Sequence, residues 1–222
     1  VTASNFTVNP VPSLAPSELV EAFQHVVTPH ISDNLQRLSG VTGLKRFHRN
    51  RKLVGTALTV KARPGDNLLI YKALMELHPG HVLVVDGGGD CTNALVGELI
   101  RQYAAARGCA GFVLDGAICD TAAFYEADFP CYARDVSHRG PYKMGPGALN
   151  VPVSIGGQLI SPGDIVVGDE DGVVAFPVSQ AAALLEAVSV TARNEQKIMT
   201  EIATGVREQE WLRKVLEPHG LY

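Results

Sequence analysis

Apolar positions along this chain switch between helical and strand periods, and the switches mark the elements. Residues 1–16 are rich in Pro, Ser, Thr and Asn and predict an extended arm. Leu19, Val20, Phe23 and Val26 then recur at helical spacing, with Ser17 as the candidate cap. Ser32 is the candidate cap of a second short helix through Leu35 and Leu38 that ends near Gly40. Gly55 to Ala62 is β-like. Pro64-Gly65-Asp66-Asn67 then turns the chain into a helix carrying Leu68, Leu69, Tyr71, Leu74 and Leu77, and Pro79-Gly80 stops it.

Val82-Leu83-Val84-Val85 is a continuous apolar run, the mark of a strand buried on both faces. After Asp86-Gly87-Gly88-Gly89-Asp90 the spacing predicts a helix through Ala94, Leu95, Leu99, Ile100, Tyr103 and Ala104, ended by Gly108. Gly111-Phe112-Val113-Leu114 is a second buried strand, running into Asp115-Gly116-Ala117-Ile118-Cys119-Asp120. A short helix and a strand near Pro130-Cys131-Tyr132-Ala133 complete a β-α-β-α-β series, which implies a parallel sheet with right-handed crossovers.

Beyond residue 134 the pattern changes. Residues 135–150 read as a Gly/Pro-rich loop. Short strands are expected around residues 151–155, 158–160, 165–167 and 172–176, separated by hairpin turns such as Gly156-Gly157 and Pro162-Gly163-Asp164. Ser179 is placed to cap a long helix through Leu184, Leu185, Val188, Ile198 and Ile202, with Gly205 interrupting it before Trp211 to Leu216. The economical expectation is one α/β domain over residues 1–222, with an arm at 1–16 and a helical segment at 179–222. Its sheet would be half parallel and half antiparallel.

Composition narrows the functions this architecture can carry. Hydrophobic residues make up 46% and charged residues 19%, which excludes a disordered chain. The net charge is −4 and aromatics are 6%, so neither a basic footprint nor a stacking platform for nucleic acid is expected. The densest basic run, Lys45 to Lys52, reads as a solvated loop or helix end, or as a patch for an anionic ligand or partner chain. No apolar stretch approaches the roughly 18–20 residues of a membrane span. The first residues lack a basic-then-apolar leader, so a cytoplasmic location is expected. Cys91, Cys109, Cys119 and Cys131 form no C-x-x-C pair and are expected as free thiols.

Ligands of open α/β sheets bind beyond the carboxyl ends of parallel strands. Two such ends are rich here, Asp86 to Asp90 and Asp115 to Asp120. Their glycines could let backbone approach an anion, and their carboxylates could hold a hard divalent cation. Equally, the glycines could make tight turns and the aspartates cap helices. The contiguous glycines after Asp86 lack the spacing of a nucleotide-binding loop.

Several segments together carry a family resemblance. They are Gly55-x-Ala57-x-Thr59-Val60, Pro64-Gly65-Asp66-Asn67, Val84-Val85-Asp86-Gly87-Gly88, Gly97-Glu98-Leu99, Asp115-Gly116-Ala117, Asn150-Val151-Pro152-Val153 and Asp171-Gly172-Val173-Val174. In this order and spacing the chain resembles the RraA-like family, which includes 4-hydroxy-4-methyl-2-oxoglutarate aldolases. The resemblance covers roughly residues 17–178. It implies an α/β/α fold of the phosphohistidine-domain-like type, and homotrimers or hexamers with sites at subunit interfaces. It implies a Mg2+- or Mn2+-dependent lyase that cleaves small 2-oxo acids to release pyruvate or decarboxylates oxaloacetate. Other relatives are non-catalytic regulators that bind an endoribonuclease.

By the same resemblance, Asp120 would bind the metal. Backbone N–H groups of Gly97, Glu98, Leu99 and Ile100 would hold the substrate carboxylate, Glu98 would sit near the metal, and Lys143 would join the site. Two positions depart from the aldolase pattern: Cys119 stands where the family has arginine, and Ala123 where it has an acidic residue. Losing a fixed cation from such a site costs several kcal/mol of transition-state stabilisation. Arg134, His138, Arg139 or a neighbouring subunit could replace it, the reaction could differ, or catalysis could be lost. Cys119 is not expected as a nucleophile, because the adjacent carboxylate disfavours the thiolate.

Overall fold

The computed structural model describes residues 6–222. In chain order the elements are β1 (Phe6–Val8), α1 (Ser17–Phe23), α2 (Thr28–Asn34), β2 (Lys45–Arg46), β3 (Leu53–Ala62), α3 (Leu68–Glu76) and β4 (His81–Asp86). Next come β5 (Ala94–Val96), α4 (Glu98–Ala106), β6 (Gly111–Ile118), α5 (Thr121–Glu126), β7 (Cys131–Val136) and β8 (Gly147–Leu149). The chain ends with β9 (Val153–Ile155), β10 (Gln158–Ile160), β11 (Ile165–Gly168), β12 (Val173–Phe176), α6 (Ala181–Ala203) and α7 (Glu210–Leu216). The first five residues of the predicted arm lie outside the described residues.

A mixed sheet runs β1-β8-β3-β4-β6-β7-β2, with β3, β4, β6 and β7 parallel, as the β-α-β-α-β series predicts. Strands β8 and β11 add antiparallel to β3, and β12 adds to β11. Alternate residues of each strand face opposite sides. Val54, Leu58, Val60, Leu83, Val85, Phe112 and Leu114 face the helices. Ala57, Val82, Val84, Val113 and Val166 pack instead against Val153, Ile155 and Ile160 of the β9–β10 hairpin. Burial on both faces is why Val82 to Val85 show no alternation. The α/β class, the mixed sheet and the long C-terminal helix α6 are as expected, with the β9–β10 hairpin as the layer opposite the helices. No helix among the described residues is long and apolar enough to cross a membrane.

Several local expectations are corrected. Ala94-Leu95-Val96 is a strand paired with β6, not the first turn of a helix, and α4 starts only at Glu98. The close approach of this strand needs bare glycines below it. A Cβ on Gly87 would lie 2.8 Å from the Asp115 carbonyl oxygen, and one on Gly116 would lie 2.6 Å from Leu95 Cδ1. Ser32 is inside α2 rather than its cap. The N-terminus of α2 is anchored instead by Asp169, which accepts from the Thr28 N–H at 2.7 Å and from its hydroxyl at 2.5 Å. Leu35 is the residue after α2, and Leu38 lies in the following turn, 85% exposed. Ser17 begins α1 without a side-chain capping bond, and Ser179 lies in a 3-10 turn before α6. The predicted loop 135–150 contains the end of β7 and all of β8.

Half of the basic run is paired by the fold, and its backbone is pinned. Lys45 pairs with Asp135 at 3.1 Å, Arg46 with Glu170 at 4.0 Å and Lys52 with Asp169 at 4.0 Å. Backbone N–H groups of Arg49, Asn50 and Arg51 converge on Asp128 Oδ1 at 2.8, 2.9 and 3.4 Å. That supports the structural reading of this run over an anion-binding patch.

His81, fully buried at the start of β4, accepts a hydrogen bond from the His78 N–H on Nδ1 at 3.0 Å. Burial, with His78 adding to it, pushes its pKa down to about 4 from 6.5. The unfolded chain therefore binds the proton first. Stability from the neutral ring is complete above pH 6.5 and is lost progressively as pH falls toward about 4. Urea midpoints measured across that window should fall with acidification, and His81→Gln should flatten the slope.

Candidate active site

A cleft of about 170 Å3 opens beyond the ends of β5 and β6. All seven residues singled out in the sequence meet there: Gly97, Glu98, Leu99, Ile100, Cys119, Asp120 and Lys143. They come from three separate segments, so the meeting is a product of the sheet. Cys119 N–H donates to the Val96 carbonyl at 3.0 Å, which ties the end of β6 to the end of β5.

Asp120 precedes α5 in the left-handed region, at φ 54° and ψ 41°. Aspartate tolerates that conformation better than most residues. Its Oδ2 accepts from the Glu98 N–H at 2.9 Å and faces the Cys119 thiol at 3.4 Å. Cys119 Sγ also lies 3.6 Å from the Val96 carbonyl oxygen. Burial first, then the hydrogen bond to Asp120 and its charge, push the Cys119 pKa up to about 11. The group is a neutral thiol at physiological pH, in keeping with its exclusion as a nucleophile. Gly97 leaves a hollow in front of both groups. A Cβ there would lie 2.5 Å from Asp120 Oδ2 and 2.6 Å from Cys119 Sγ.

Lys143 reaches the cleft on a loop held by Asp66 and Asn67. The buried Asp66 carboxylate accepts N–H bonds from Leu68 at 2.9 Å, Met144 at 2.6 Å and Gly145 at 3.0 Å. Asn67 donates its backbone N–H to Tyr142 O at 3.0 Å and its side-chain amide to Leu95 O at 3.0 Å. Asn67 lines the cleft, and its buried Oδ1 has no partner. In the sequence, Asp66 and Asn67 stand out as a turn and as part of one family segment, with no role in the site assigned to them. The available signal was their place beyond the β-like run ending at Ala62, where polar residues face the ligand end of a sheet. Lys143 Nζ sits 5.9 Å from the centre of the Tyr71 ring.

The other candidates serve the fold. Arg134 ion-pairs with Asp115 and packs over Gly89, away from the cleft. His138 and Arg139 are also outside the lining, in which Lys143 is the only cation among the described residues. Asp86 Oδ1 accepts the Gly88 N–H at 3.0 Å, and Asp90 Oδ1 accepts the Thr92 N–H at 3.1 Å. The Asp86 to Asp90 loop is thus held as turns, which favours the structural reading there.

No group of three or more His, Cys, Asp or Glu residues among those described is arranged to enclose a metal. Within the cleft, Asp120 offers carboxylate oxygens beside Gly97, while the Glu98 carboxylate accepts from Gln102 Nε2 at 2.9 Å and lies 3.9 Å from the Arg101 guanidinium. Such a sparse oxygen set suits a divalent cation that keeps several waters.

Comparison with known proteins gives this arrangement its context. The RraA-like family, described as Aldolase/RraA, matches residues 28–175. The chain belongs to this family. A Halalkalibacterium halodurans protein named "Putative 4-hydroxy-4-methyl-2-oxoglutarate aldolase" is 37% identical over 208 residues, covering 93% of this chain and 99% of that one. The structure of the RNA-processing inhibitor RraA from Thermus thermophilis aligns with a TM-score of 0.64 and 31% identity, covering 69% of this chain and 93% of its own. Streptomyces coelicolor RraAS2, described as an unusual member of the RNase ES inhibitor RraA family, aligns at 0.74 with 28% identity, covering 87% and 98%. The family thus includes proteins named for aldol chemistry and others named for inhibition of RNA processing.

Asp66→Asn should loosen the loop that carries Lys143. Each charge-assisted bond it weakens is worth about 1.5–3 kcal/mol. The expected outcome is faster hydrogen exchange at the Met144 and Gly145 amides and a lower unfolding midpoint. Unchanged exchange at those two amides would show that the carboxylate does not hold the loop.

Proposed function

We propose that this chain is a divalent-metal-dependent lyase of small 2-oxo acids, working by retro-aldol release of pyruvate, oxaloacetate decarboxylation, or both. The observation that carries the reading is the convergence of Asp120, Glu98, Lys143 and the start of α4 on one cleft. The aldolase-named relative, matched over 93% of this chain, supports it.

The N–H groups of Leu99 and Ile100 lie in the first turn of α4, where a helix has no internal acceptors for them. They point positive helix-end dipoles at the cleft and would bind the substrate carboxylate. Asp120, steadied by the Glu98 N–H, would hold Mg2+ or Mn2+, with Glu98 beside it directly or through water. The bound ion would supply Lewis-acid polarisation of the oxo group. Lys143 would stabilise negative charge as the carbon–carbon bond breaks, the task that falls to it because Cys119 replaces the family arginine.

We also propose that copies of the chain assemble as a trimer or hexamer and act in the cytoplasm. Tyr71, Met75, Leu99 and Tyr103 form an exposed apolar patch contiguous with the cleft, and a neighbouring copy would cover it. A second reading, a non-catalytic oligomeric binding or regulatory protein, draws on Cys119 and Ala123 in place of charged residues.

Chelator-treated protein, resupplied with Mg2+ or Mn2+, should release pyruvate from oxaloacetate or from 4-hydroxy-4-methyl-2-oxoglutarate. Asp120→Ala should lower kcat/KM by about 100-fold or more, the scale of losing one electrostatic group from such a site. Gly97→Ala should also impair turnover, because its methyl group would occupy the hollow beside Asp120. Absence of turnover with either metal would favour the regulatory reading.

A further inference from the structure

We infer that this cleft selects 2-oxo acids with one carboxylate and an apolar tail over those that carry a second carboxylate. The inference rests on the lyase reading above and names the substrate class of that same site. Its basis is the balance of charge and apolar surface around the cleft.

The lining holds two carboxylates, Glu98 and Asp120, and one cation among the described residues, Lys143. A divalent ion added to that set leaves a single positive charge, which one substrate carboxylate cancels. A second carboxylate would enter as an uncompensated, partly desolvated anion. Holding it takes a further cation or free N–H donors, and the fold commits those elsewhere. Arg134 pairs with Asp115, and Arg101 lies outside the lining, 3.9 Å from the Glu98 carboxylate. Asn67 donates its side-chain amide to Leu95 O, and the Glu98 N–H goes to Asp120. The Cys119 thiol, its pKa pushed up to about 11 first by burial and then by Asp120, is neutral. The first-turn N–H groups of Leu99 and Ile100 remain, and they serve the carboxylate beside the oxo group.

The opposite property, apolar surface, is plentiful. Tyr71, Leu99, Ile100 and Pro141 line the cleft. The first three also line a second hollow of about 410 Å3 with Leu74, Met75 and Tyr103. Apolar surface therefore continues from the cleft onto the outer faces of α3 and α4. Leu99 is 82% exposed there. An alkyl tail laid on these side chains leaves water together with them, which favours the bound state. A carboxylate in the same place would be desolvated against carbon.

For a 4-hydroxy member of this class, 4-hydroxy-5-methyl-2-oxohexanoate, the C3–C4 bond breaks and its electron pair stays on C3. The hydroxyl proton leaves, C3 takes up a proton, and the products are pyruvate and 2-methylpropanal. No outside oxidant or reductant is needed.

The test compares ligands that differ only in the distal group. In 5-methyl-2-oxohexanoate an isopropyl group of similar shape replaces the distal carboxylate of 2-oxoglutarate, and neither compound can undergo aldol cleavage. Calorimetry on the full chain with Mg2+ or Mn2+ should show the isopropyl compound binding at least about 10-fold more tightly, the scale of discrimination in an apolar pocket. Leu99→Ala should weaken the isopropyl compound more than 2-oxoglutarate. Cys119→Arg, which adds a cation, should narrow or reverse the preference. In turnover, kcat/KM for 4-hydroxy-5-methyl-2-oxohexanoate should exceed that for 4-hydroxy-2-oxoglutarate, and Lys143→Met should lower both alike. Equal or tighter binding of 2-oxoglutarate by the native chain would overturn the inference, and cleavage of the dicarboxylate would then leave the lyase reading standing. A Lys143→Met loss confined to the dicarboxylate would also overturn it, since Lys143 would then anchor the second carboxylate. The binding preference without cleavage of either hydroxy acid would uphold the ligand class and sink the lyase reading. Binding of neither compound would overturn the inference.

Discussion

The three residues Ala94-Leu95-Val96 depend on two missing side chains. Gly87 and Gly116 allow Leu95 to lie against β4 and β6 at a distance that any Cβ would forbid. From that close contact the cleft follows. The Leu95 carbonyl accepts the Asn67 amide, the Val96 carbonyl accepts the Cys119 N–H, and the next residues are Gly97 and Glu98 at the start of α4. Packing in protein interiors leaves little slack, so a strand pushed outward here would carry Gly97 and Glu98 with it and strain its bonds to Asn67 and Cys119. Several of the glycines that the sequence places near a ligand therefore act one step back, by setting the height of the strand from which the site hangs.

Charge is distributed with the same economy. The basic run from Lys45 to Lys52 meets Asp135, Asp169, Glu170 and the Asp128 carboxylate. Asp115 takes Arg134. Among the described residues, Lys143 is the one cation in the cleft lining, which also holds Glu98 and Asp120. The family position that would carry arginine carries a thiol instead, and it faces the Asp120 oxygen rather than the core. A cleft whose cation is a lysine ammonium and whose neighbour to Asp120 is a neutral thiol is a different electrostatic object from one with a guanidinium, even on the same backbone.

Much of the architecture was legible because burial leaves a pattern. The run Val82 to Val85 marked a central strand, and the alternation of strands and helices after it set the parallel order. The β9–β10 hairpin announced itself through Gly156-Gly157, whereas Pro162-Gly163, expected as a hairpin turn, links β10 to β11 across two sheets without pairing them. The misread elements share one cause. Ala94 to Val96 has too few residues for a period to show, so the helical spacing of Leu99, Ile100 and Tyr103 absorbed it. Ser32 carries the residue type of a cap, but Asp169 arrives from a distant turn and takes that task at Thr28. Gly147 to Leu149 sits among prolines and glycines and becomes a strand only because β3 and β1 offer it edges.

The sequence alone determined the class of fold, the parallel run of its central strands and the family residues to look for, since these depend on local periodicity and short motifs. Tertiary structure decided which of the charged and polar groups act together. It drew Lys143 across to α4 through the buried Asp66 carboxylate, withdrew Arg134 into a pair with Asp115, and turned Cys119 and Asp120 to the same side. Such choices turn on distances of a few ångströms between segments far apart in the chain. Only the packed sheet, with its glycine gap beneath Leu95, sets those distances.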